Sequence, residues 1–259
     1  GACLFLSFTI FPTPFRRFAI LSLPIYSPRL LGLLRAQSTE AALKYLVLGG
    51  AATATLLMGI SLLYGWSGSL QIEAFGAALQ YSDPLAMAGA ALIVAALFLK
   101  AAVVPFHAWA PDAYEGASAP VTAFMATVIK AGVLLAALRI FGTTPVLQPM
   151  LGLVAVLPLL SMAWGNLAAI RQVSFRRMIA YSSIGHAGYL FYALLGDGDG
   201  RWQAIIFYVI AYGLMNLLAF AALPRGADDQ RQDRLDALKG LYRRRPFAAV
   251  MIAIAMLSL

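Results

Sequence analysis

Residues 85–120 read LAMAGAALIVAALFLKAAVVPFHAWAPDAYEGASAP, and this stretch decides the fold of the chain. Its first part, residues 85–106, is almost wholly apolar and is as long as the roughly 20 residues that a helix needs to cross a bilayer. Lys100 interrupts the apolar run near its end, and Pro105 follows where a proline breaks a helix. A broken helix beside a charged residue at membrane depth is typical of transporters, which place ion sites at such breaks.

The composition of the whole chain also indicates a membrane protein. Of the 259 residues, 61% are apolar and only 12% are charged, whereas about a quarter of a soluble domain is charged. This balance excludes a soluble enzyme. The single cysteine, Cys3, excludes a disulfide framework, a zinc cluster and an iron–sulfur site within the chain. Two histidines without carboxylate companions also make a metal or haem centre unexpected.

The hydrophobic pattern predicts one membrane domain over residues 1–259, an all-α polytopic helix bundle with a broken helix near Pro105. The predicted spanning helices are residues 41–64, 85–106, 120–141, 149–170, 178–196 and 202–224. Residues 1–34 form an interrupted apolar segment, and residues 247–259 begin a helix that is cut off. We therefore expect a fragment that is truncated at both ends.

The basic residues predict how the bundle is oriented in the membrane. They concentrate in residues 171–177 and 225–246, whereas Arg201 is the only base in the connectors expected on the opposite side. Cytoplasmic loops carry an excess of Lys and Arg, so these two connectors are predicted to face the cytoplasm, together with residues 107–119. The net charge of +8 is thereby explained without a nucleic-acid surface.

Lysines within the predicted spans are the main candidate functional residues. Lys100 lies near the end of one span and Lys130 in the middle of the next. A basic residue at a helix centre costs about 2.5–3.5 kcal/mol on insertion scales, so a functional reason is expected. A lysine held away from water can take up and release a proton. The alternative is that the long side chain extends to the interface, and for Lys44 the two interpretations are equally supported.

Two consecutive predicted helices each carry a polar stripe that could face the bundle interior. The stripes are Ser182, His186 and Tyr189 on one helix and Tyr208, Tyr212 and Asn216 on the next. Their spacing puts each set on one helical face. For the Ser, Tyr and Asn side chains, hydrogen bonding between packed helices explains the pattern equally well. For His186 the functional interpretation is favoured, because imidazole titrates near neutrality.

Several motifs of the chain resemble those of a known family. Residues 100–124, 177–189 and 238–246 closely resemble signatures of the antiporter-like membrane subunits of respiratory complex I, the NADH-quinone oxidoreductase. The form Asp112-Ala-Tyr-Glu-Gly-Ala117 resembles the subunit N branch, known as subunit 2 in organelles. Glu40-Ala-Ala-Leu-Lys44-Tyr45 is a further match. The resemblance covers roughly residues 20–259.

The resemblance implies a proton path through the bundle, made of lysines, histidines and water. The residues that match family positions on or near that path are Lys44, Lys100, Lys130, His107, Tyr181 and His186, of which the three lysines match buried lysines. Two departures from the family pattern are visible. Ala19 stands where the family has a glutamate, and the chain ends at Leu259, before a lysine that the family carries later.

The function implied by the resemblance is proton translocation as a membrane subunit of NADH-quinone oxidoreductase, coupled to quinone reduction elsewhere in the complex. NADH, flavin, iron–sulfur clusters and quinone would then be bound by other subunits, and no cofactor by this chain. The expected partners are the other membrane subunits of complex I and the lipid bilayer, in a bacterial inner membrane. The alternatives are a subunit of a multisubunit cation/proton antiporter, or a fragment that pumps nothing.

Overall fold

A computed structural model describes residues 36–72, 77, 83–141, 148–196, 200–223 and 233–258. The interrupted segment predicted at residues 1–34 and the departure at Ala19 lie outside the described residues. Within them all regular structure is helical, apart from isolated bridge residues such as Ser174 and Arg234. The prediction of an all-α membrane bundle is confirmed.

Nine α-helices are described, together with a 3₁₀ turn at Leu235–Leu238. They are α1 (Ala36–Ser67), α2 (Pro84–Ala101), α3 (Trp109–Gly116), α4 (Ala119–Phe141), α5 (Gln148–Ile170), α6 (Phe175–Ala193), α7 (Arg201–Ala222), α8 (Leu241–Arg244) and α9 (Pro246–Ser258). Four of these described helices, α1, α2, α4 and α7, are long and apolar enough to cross a membrane. Helix α6 is not one of these four, since its arginines, serines and histidine lower its hydropathy.

The predicted break lies between α2 and α3. Helix α2 ends at Ala101 rather than at residue 106, and Ala102 adopts a left-handed backbone with φ of 62°. Left-handed backbone costs a non-glycine residue about 1–2 kcal/mol, and such strain clusters at functional sites. Pro105 disfavours helical backbone at the residue before it. The next helix begins at Trp109. Lys100 is consequently placed in the last turn of α2.

Helix α4 contains a π-helical segment that the sequence analysis did not predict. The segment spans Met125–Ile129 and ends directly before Lys130. Thr127 lies within it, and its hydroxyl donates to the carbonyl of Ala123 at 2.7 Å. A π turn adds a residue to the helical repeat and is frequent at functional sites. The segment therefore sets the face of α4 on which Lys130 lies.

Glycines allow two helix pairs to pack closely. A Cβ added at Gly165 of α5 would lie 2.6 Å from the backbone nitrogen of Gly185 on α6. A Cβ added at Gly59 of α1 would lie 2.8 Å from the carbonyl oxygen of Gly89 on α2. Small residues let helix backbones approach in a bilayer, where the hydrophobic effect does not drive helices together.

The apolar interior has two parts. One contains Phe98, Phe141 and Phe191, and the other contains Trp109 and Phe175. The second part surrounds α3 and the start of α6, so the broken-helix region is enclosed by packed side chains.

Candidate functional site

Lys130 lies in the interior of the bundle. Its residue is 5% exposed, and its ammonium donates hydrogen bonds to both the carbonyl oxygen and the hydroxyl of Ser183 on α6. A buried charge needs hydrogen-bond partners, and Ser183 supplies two acceptors. The ammonium also lies 5.9 Å from the centre of the Tyr212 ring, within reach of a cation–π contact. The structure thus agrees with a buried Lys130 rather than with an interfacial one.

Ser183 links Lys130 to the short helix α3. The hydroxyl of Ser183 lies 3.3 Å from the hydroxyl of Tyr114, and both groups are buried. Neither residue was predicted as functional, and for Ser183 the reason is that helical spacing put the polar stripe of α6 at Ser182. Either serine could face the lysine, since they are adjacent, and only the packing of α6 against α4 selects Ser183.

Lys100 and Lys130 line the same small cavity. This cavity has a volume of about 10 Å³ and is also lined by Tyr45, Trp109 and Tyr114. A second cavity of about 10 Å³ lies beside Lys100 and is again lined by Tyr45 and Trp109. Each is about the size that holds one water molecule. We refer to the two together as the lysine cavity. The break in the helix and the π segment therefore bring the two deep lysines to one water-sized space.

His186 lies on α6, one turn beyond Ser183, and is buried. Its Nδ1 atom lies 2.7 Å from the hydroxyl of Tyr208, and its ring centre lies 4.8 Å from that of Tyr212. The predicted stripes of α6 and α7 thus meet at His186. The outer member of the α6 stripe, Tyr189, is 41% exposed and accepts a hydrogen bond from the amide of Asn166.

Lys44, for which the sequence left two interpretations open, forms ion pairs. The resemblance implied a buried lysine, but the side chain is 40% exposed and pairs with Glu40 and Asp112, each at 2.6 Å. It does not line the lysine cavity. Asp112 on α3 and Glu40 one turn earlier in α1 hold the ammonium, and a relay role for Lys44 stays a prediction.

The pairs of Lys44 belong to a larger charged network. Arg177 donates to Asp112 at 2.9 Å and to Glu115 at 3.0 Å. These groups surround an open cavity of about 170 Å³, which we call the charged mouth and which is lined by Glu40, Ala41, Lys44, Asp112, Glu115 and Gly116. Burial pushes the pKa of Asp112 upward, but hydrogen bonds from Lys44 and Arg177 outweigh it, so this pKa lies below its usual value.

A buried ion pair fixes the same end of the bundle. The Nε atom of Arg176 lies 3.2 Å from Asp233, whose carboxylate also accepts from the hydroxyl of Ser174 at 2.6 Å. Arg176 donates further to the carbonyl of Ala117, just past the end of α3. Burial raises the pKa of Asp233, although Ser174 and Arg176 oppose the rise. The start of α6 is therefore tied to α3 and to the residues before α8.

Two predicted relay residues, His107 and Tyr181, do not line the lysine cavity. The ring of His107 lies 6.1 Å from that of Trp164 on α5, and its Nδ1 atom is buried without a hydrogen-bond partner in the described part of the chain. Tyr181 is half-buried and packs against the second apolar cluster. The structure brings together Lys100, Lys130 and the Ser183–His186 face, but not His107, Tyr181 or Lys44.

Among the described residues, no group of three or more His, Cys, Asp or Glu side chains is placed to hold a metal ion. The arrangement offers ammonium, hydroxyl and imidazole groups around water-sized spaces. Such groups can carry protons between them.

Comparison with known proteins relates this geometry to one family. The sequence profile of the family described as NADH:quinone oxidoreductase/Mrp antiporter, TM, matches residues 17–259. NADH-quinone oxidoreductase subunit N of Pelobacter propionicus is 40% identical over 261 residues, which are 100% of this chain and 56% of that protein. The chain spans about half the length of the curated relatives it matches.

Solved membrane complexes contain chains of the same fold. A chain of respiratory complex I from Thermus thermophilus with bound aureothin has a TM-score of 0.81 and 40% identity, over 98% of this chain and 55% of that one. A chain of the Mrp complex from Dietzia sp. has a TM-score of 0.84 and 26% identity, over 95% of this chain and 47% of that one.

Proposed function

The chain belongs to the transmembrane family of NADH:quinone oxidoreductase and Mrp antiporter subunits, and from that membership we propose that it carries protons across the membrane as part of an NADH-quinone oxidoreductase. The observation that carries the proposal is the placement of Lys100 and Lys130 on one water-sized cavity inside the bundle. Lysines inside a membrane bundle destabilise it, so two of them beside one cavity are expected to have a function, and proton transfer is the one proposed.

The proposed transfer is a proton exchange between the two amines. Lys130 in its ammonium form gives a proton to a water in the lysine cavity, and that water passes a proton to the neutral amine of Lys100. Lys130 is then neutral and Lys100 is charged, so the number of protons is unchanged. Two like charges about 8 Å apart repel by about 2 kcal/mol at an effective dielectric near 20, so at a separation of that order a charge on one lysine promotes proton release from the other.

Ser183 and His186 continue the proposed path along α6. Ser183 holds the Lys130 ammonium through its carbonyl and hydroxyl oxygens. His186, one turn away, exchanges a proton on its imidazole and is oriented by Tyr208. We propose that the energy comes from quinone reduction in other subunits, which bind NADH, flavin and the iron–sulfur clusters. The partners are then the neighbouring membrane subunits and the lipid of a bacterial inner membrane.

A second candidate function is supported by the likeness to the Mrp complex chain. In that case the same lysines would exchange protons against a cation gradient. The two functions differ in their driving force. NADH-driven proton movement that needs Lys130 supports the oxidoreductase, and sodium-driven proton movement without NADH supports the antiporter.

The test replaces Lys130 by Ala in the natural membrane complex and measures NADH-driven proton uptake in inverted vesicles by fluorescence quenching. NADH:quinone reductase activity is measured in parallel, so that uptake can be expressed per turnover. Lys239→Ala is the matched control, since Lys239 is exposed and pairs with Asp236 at the surface. We expect uptake per turnover to fall in Lys130→Ala and not in Lys239→Ala. Equal uptake in both variants would refute the proposal.

A further inference from the structure

Two aromatic rings, those of Tyr45 and Trp109, line the lysine cavity on the same two helices that line the charged mouth. We propose that Tyr45 and Trp109 form a gate, whose opening admits water and protons from the charged mouth to Lys100 and Lys130. This inference rests on the proposed function, because it assigns control of access to the same site. It concerns two residues that lie within the quoted motifs but were not named there as candidate functional residues.

The gate residues lie in direct contact and are buried. The ring centres of Tyr45 and Trp109 are 5.4 Å apart and meet edge to face at 61°. The residues are 6% and 9% exposed. Both line each of the two spaces that make up the lysine cavity. The contact is therefore part of the wall of that cavity.

The same two helices also line the charged mouth. Tyr45 directly follows Lys44 on α1, and Trp109 lies three residues before Asp112 on α3. Residues three apart are neighbours on a helix surface, so Trp109 and Asp112 belong to one side of α3. The two rings therefore lie on the helices that line both the mouth and the cavity, next in sequence or one helical turn from the charged residues of the mouth.

Trp109 connects the gate to Lys100. Its indole N–H donates to the carbonyl oxygen of Leu99 at 2.9 Å, one residue before Lys100 in the last turn of α2. Rotation of the indole breaks this hydrogen bond and frees a carbonyl in the turn that carries Lys100. Trp109 is accordingly a positioning residue, which acts on Lys100 through the backbone of α2.

Ion pairs hold the gate closed from the side of the mouth. Lys44 and Asp112 join α1 to α3 at 2.6 Å, and these helices carry the two rings. Arg177 holds Asp112 and Glu115, so α3 is also tied to α6. Opening therefore requires rotation of the indole or release of the Lys44–Asp112 pair. A proton arriving at the mouth encounters these charges before it reaches the rings.

The test measures access to the lysine cavity by cysteine labelling. Ile129 lines both spaces of the cavity and is 5% exposed, so Ile129→Cys in a Cys3→Ser background places one thiol behind the gate. The probe is a charged, membrane-impermeant methanethiosulfonate, applied to vesicles that hold the assembled complex. Labelling reports access of water-soluble molecules and does not depend on proton pumping.

Trp109→Ala is the principal variant, and Trp202→Ala is its matched control. Trp202 is a half-buried tryptophan at the start of α7, packed against the other apolar cluster, and it lines neither the mouth nor the lysine cavity. We expect labelling to become about tenfold faster in Trp109→Ala, the factor implied when one hydrogen bond is removed from an opening equilibrium. The rate should stay unchanged in Trp202→Ala.

Tyr45→Ala opens the gate from α1 and keeps the test decisive if Trp109→Ala does not assemble. Labelling that is no faster in either gate variant than in Trp202→Ala would overturn the gate. If labelling accelerates while Lys130→Ala still pumps normally, the gate stands and the proposed function fails. If labelling does not change while Lys130→Ala abolishes uptake, the gate fails and the proposed function stands.

Discussion

Removal of Arg176 tests how the ends of α3 and α6 are held together. Arg176→Leu takes one partner from a buried ion pair whose side chains are 5% and 6% exposed. Asp233 keeps the hydroxyl of Ser174 at 2.6 Å and the backbone N–H of residue 176 at 3.3 Å. The carbonyl of Ala117 loses its guanidinium donor, which lies at 2.6 Å.

The size of the effect follows from the charge that remains. Leaving one member of a buried pair unpaired costs about 3–5 kcal/mol. Because Asp233 retains two donors, we expect the lower end, about 3 kcal/mol. The double variant Arg176→Leu, Asp233→Leu leaves no buried charge and should lose only about 1 kcal/mol, mainly from the hydroxyl of Ser174 that has lost its acceptor.

The stability lost in Arg176→Leu depends on pH, and the direction of this dependence follows from Asp233. Burial raises the pKa of Asp233 in the folded chain, and removing Arg176 takes away one of the groups that oppose this rise. The penalty exists only while Asp233 is charged, so it is present above the folded pKa and disappears as the pH falls through it. The difference in stability between wild type and Arg176→Leu should therefore narrow as the pH falls through the raised pKa of Asp233.

The assay is thermal unfolding in detergent, followed by tryptophan fluorescence. A loss of about 3 kcal/mol corresponds to a fall in Tm of about 6–12 °C for a chain of this size. An unchanged Tm in Arg176→Leu, a double variant less stable than the single one, or a difference that does not vary with pH would each refute the reasoning.

Two further predictions concern packing and the charged mouth. Gly165→Ala should lower stability by about 1–3 kcal/mol, because the added Cβ would meet the backbone of Gly185. Gly152→Ala on the same helix is the control, since its Cβ meets nothing within 4 Å. Equal Tm values of the two variants in detergent would contradict this prediction. Asp112→Asn should lower the free energy of unfolding by about 0.5–1 kcal/mol, since the ion pairs of Asp112 are partly exposed. This loss should shrink in about 1 M salt, and also as the pH falls through the depressed pKa of Asp112. A loss in Asp112→Asn that is insensitive to both salt and acid would show that these pairs contribute little.

The features that the sequence predicted correctly are those that follow from local pattern. Long apolar runs require helices in lipid, and Pro105 beside Lys100 requires a break, so both could be read without tertiary information. The burial of Lys130 followed from its position at the centre of a span. The exact end of α2 could not be predicted from the sequence, because alanine at position 102 does not indicate a left-handed backbone.

The features that were missed depend on contacts between distant residues. The ion pair of Lys44 with Asp112 was not predicted, because Asp112 is 68 residues away in the chain. Ser183 was passed over for its neighbour Ser182, since helical spacing alone cannot choose between adjacent faces. The π segment before Lys130 has no signature in Met125–Ile129. Each of these is fixed by how helices pack and not by local propensity.

The most direct test of the account is whether Lys100 and Lys130 act in series on one path. Uptake of protons per NADH oxidised is measured in the natural complex for Lys100→Ala, Lys130→Ala and the double variant. If the two amines exchange the same proton across their shared cavity, either single substitution interrupts the path, and the double variant loses no more than each single one. Partial losses in the single variants that add together in the double variant would contradict it.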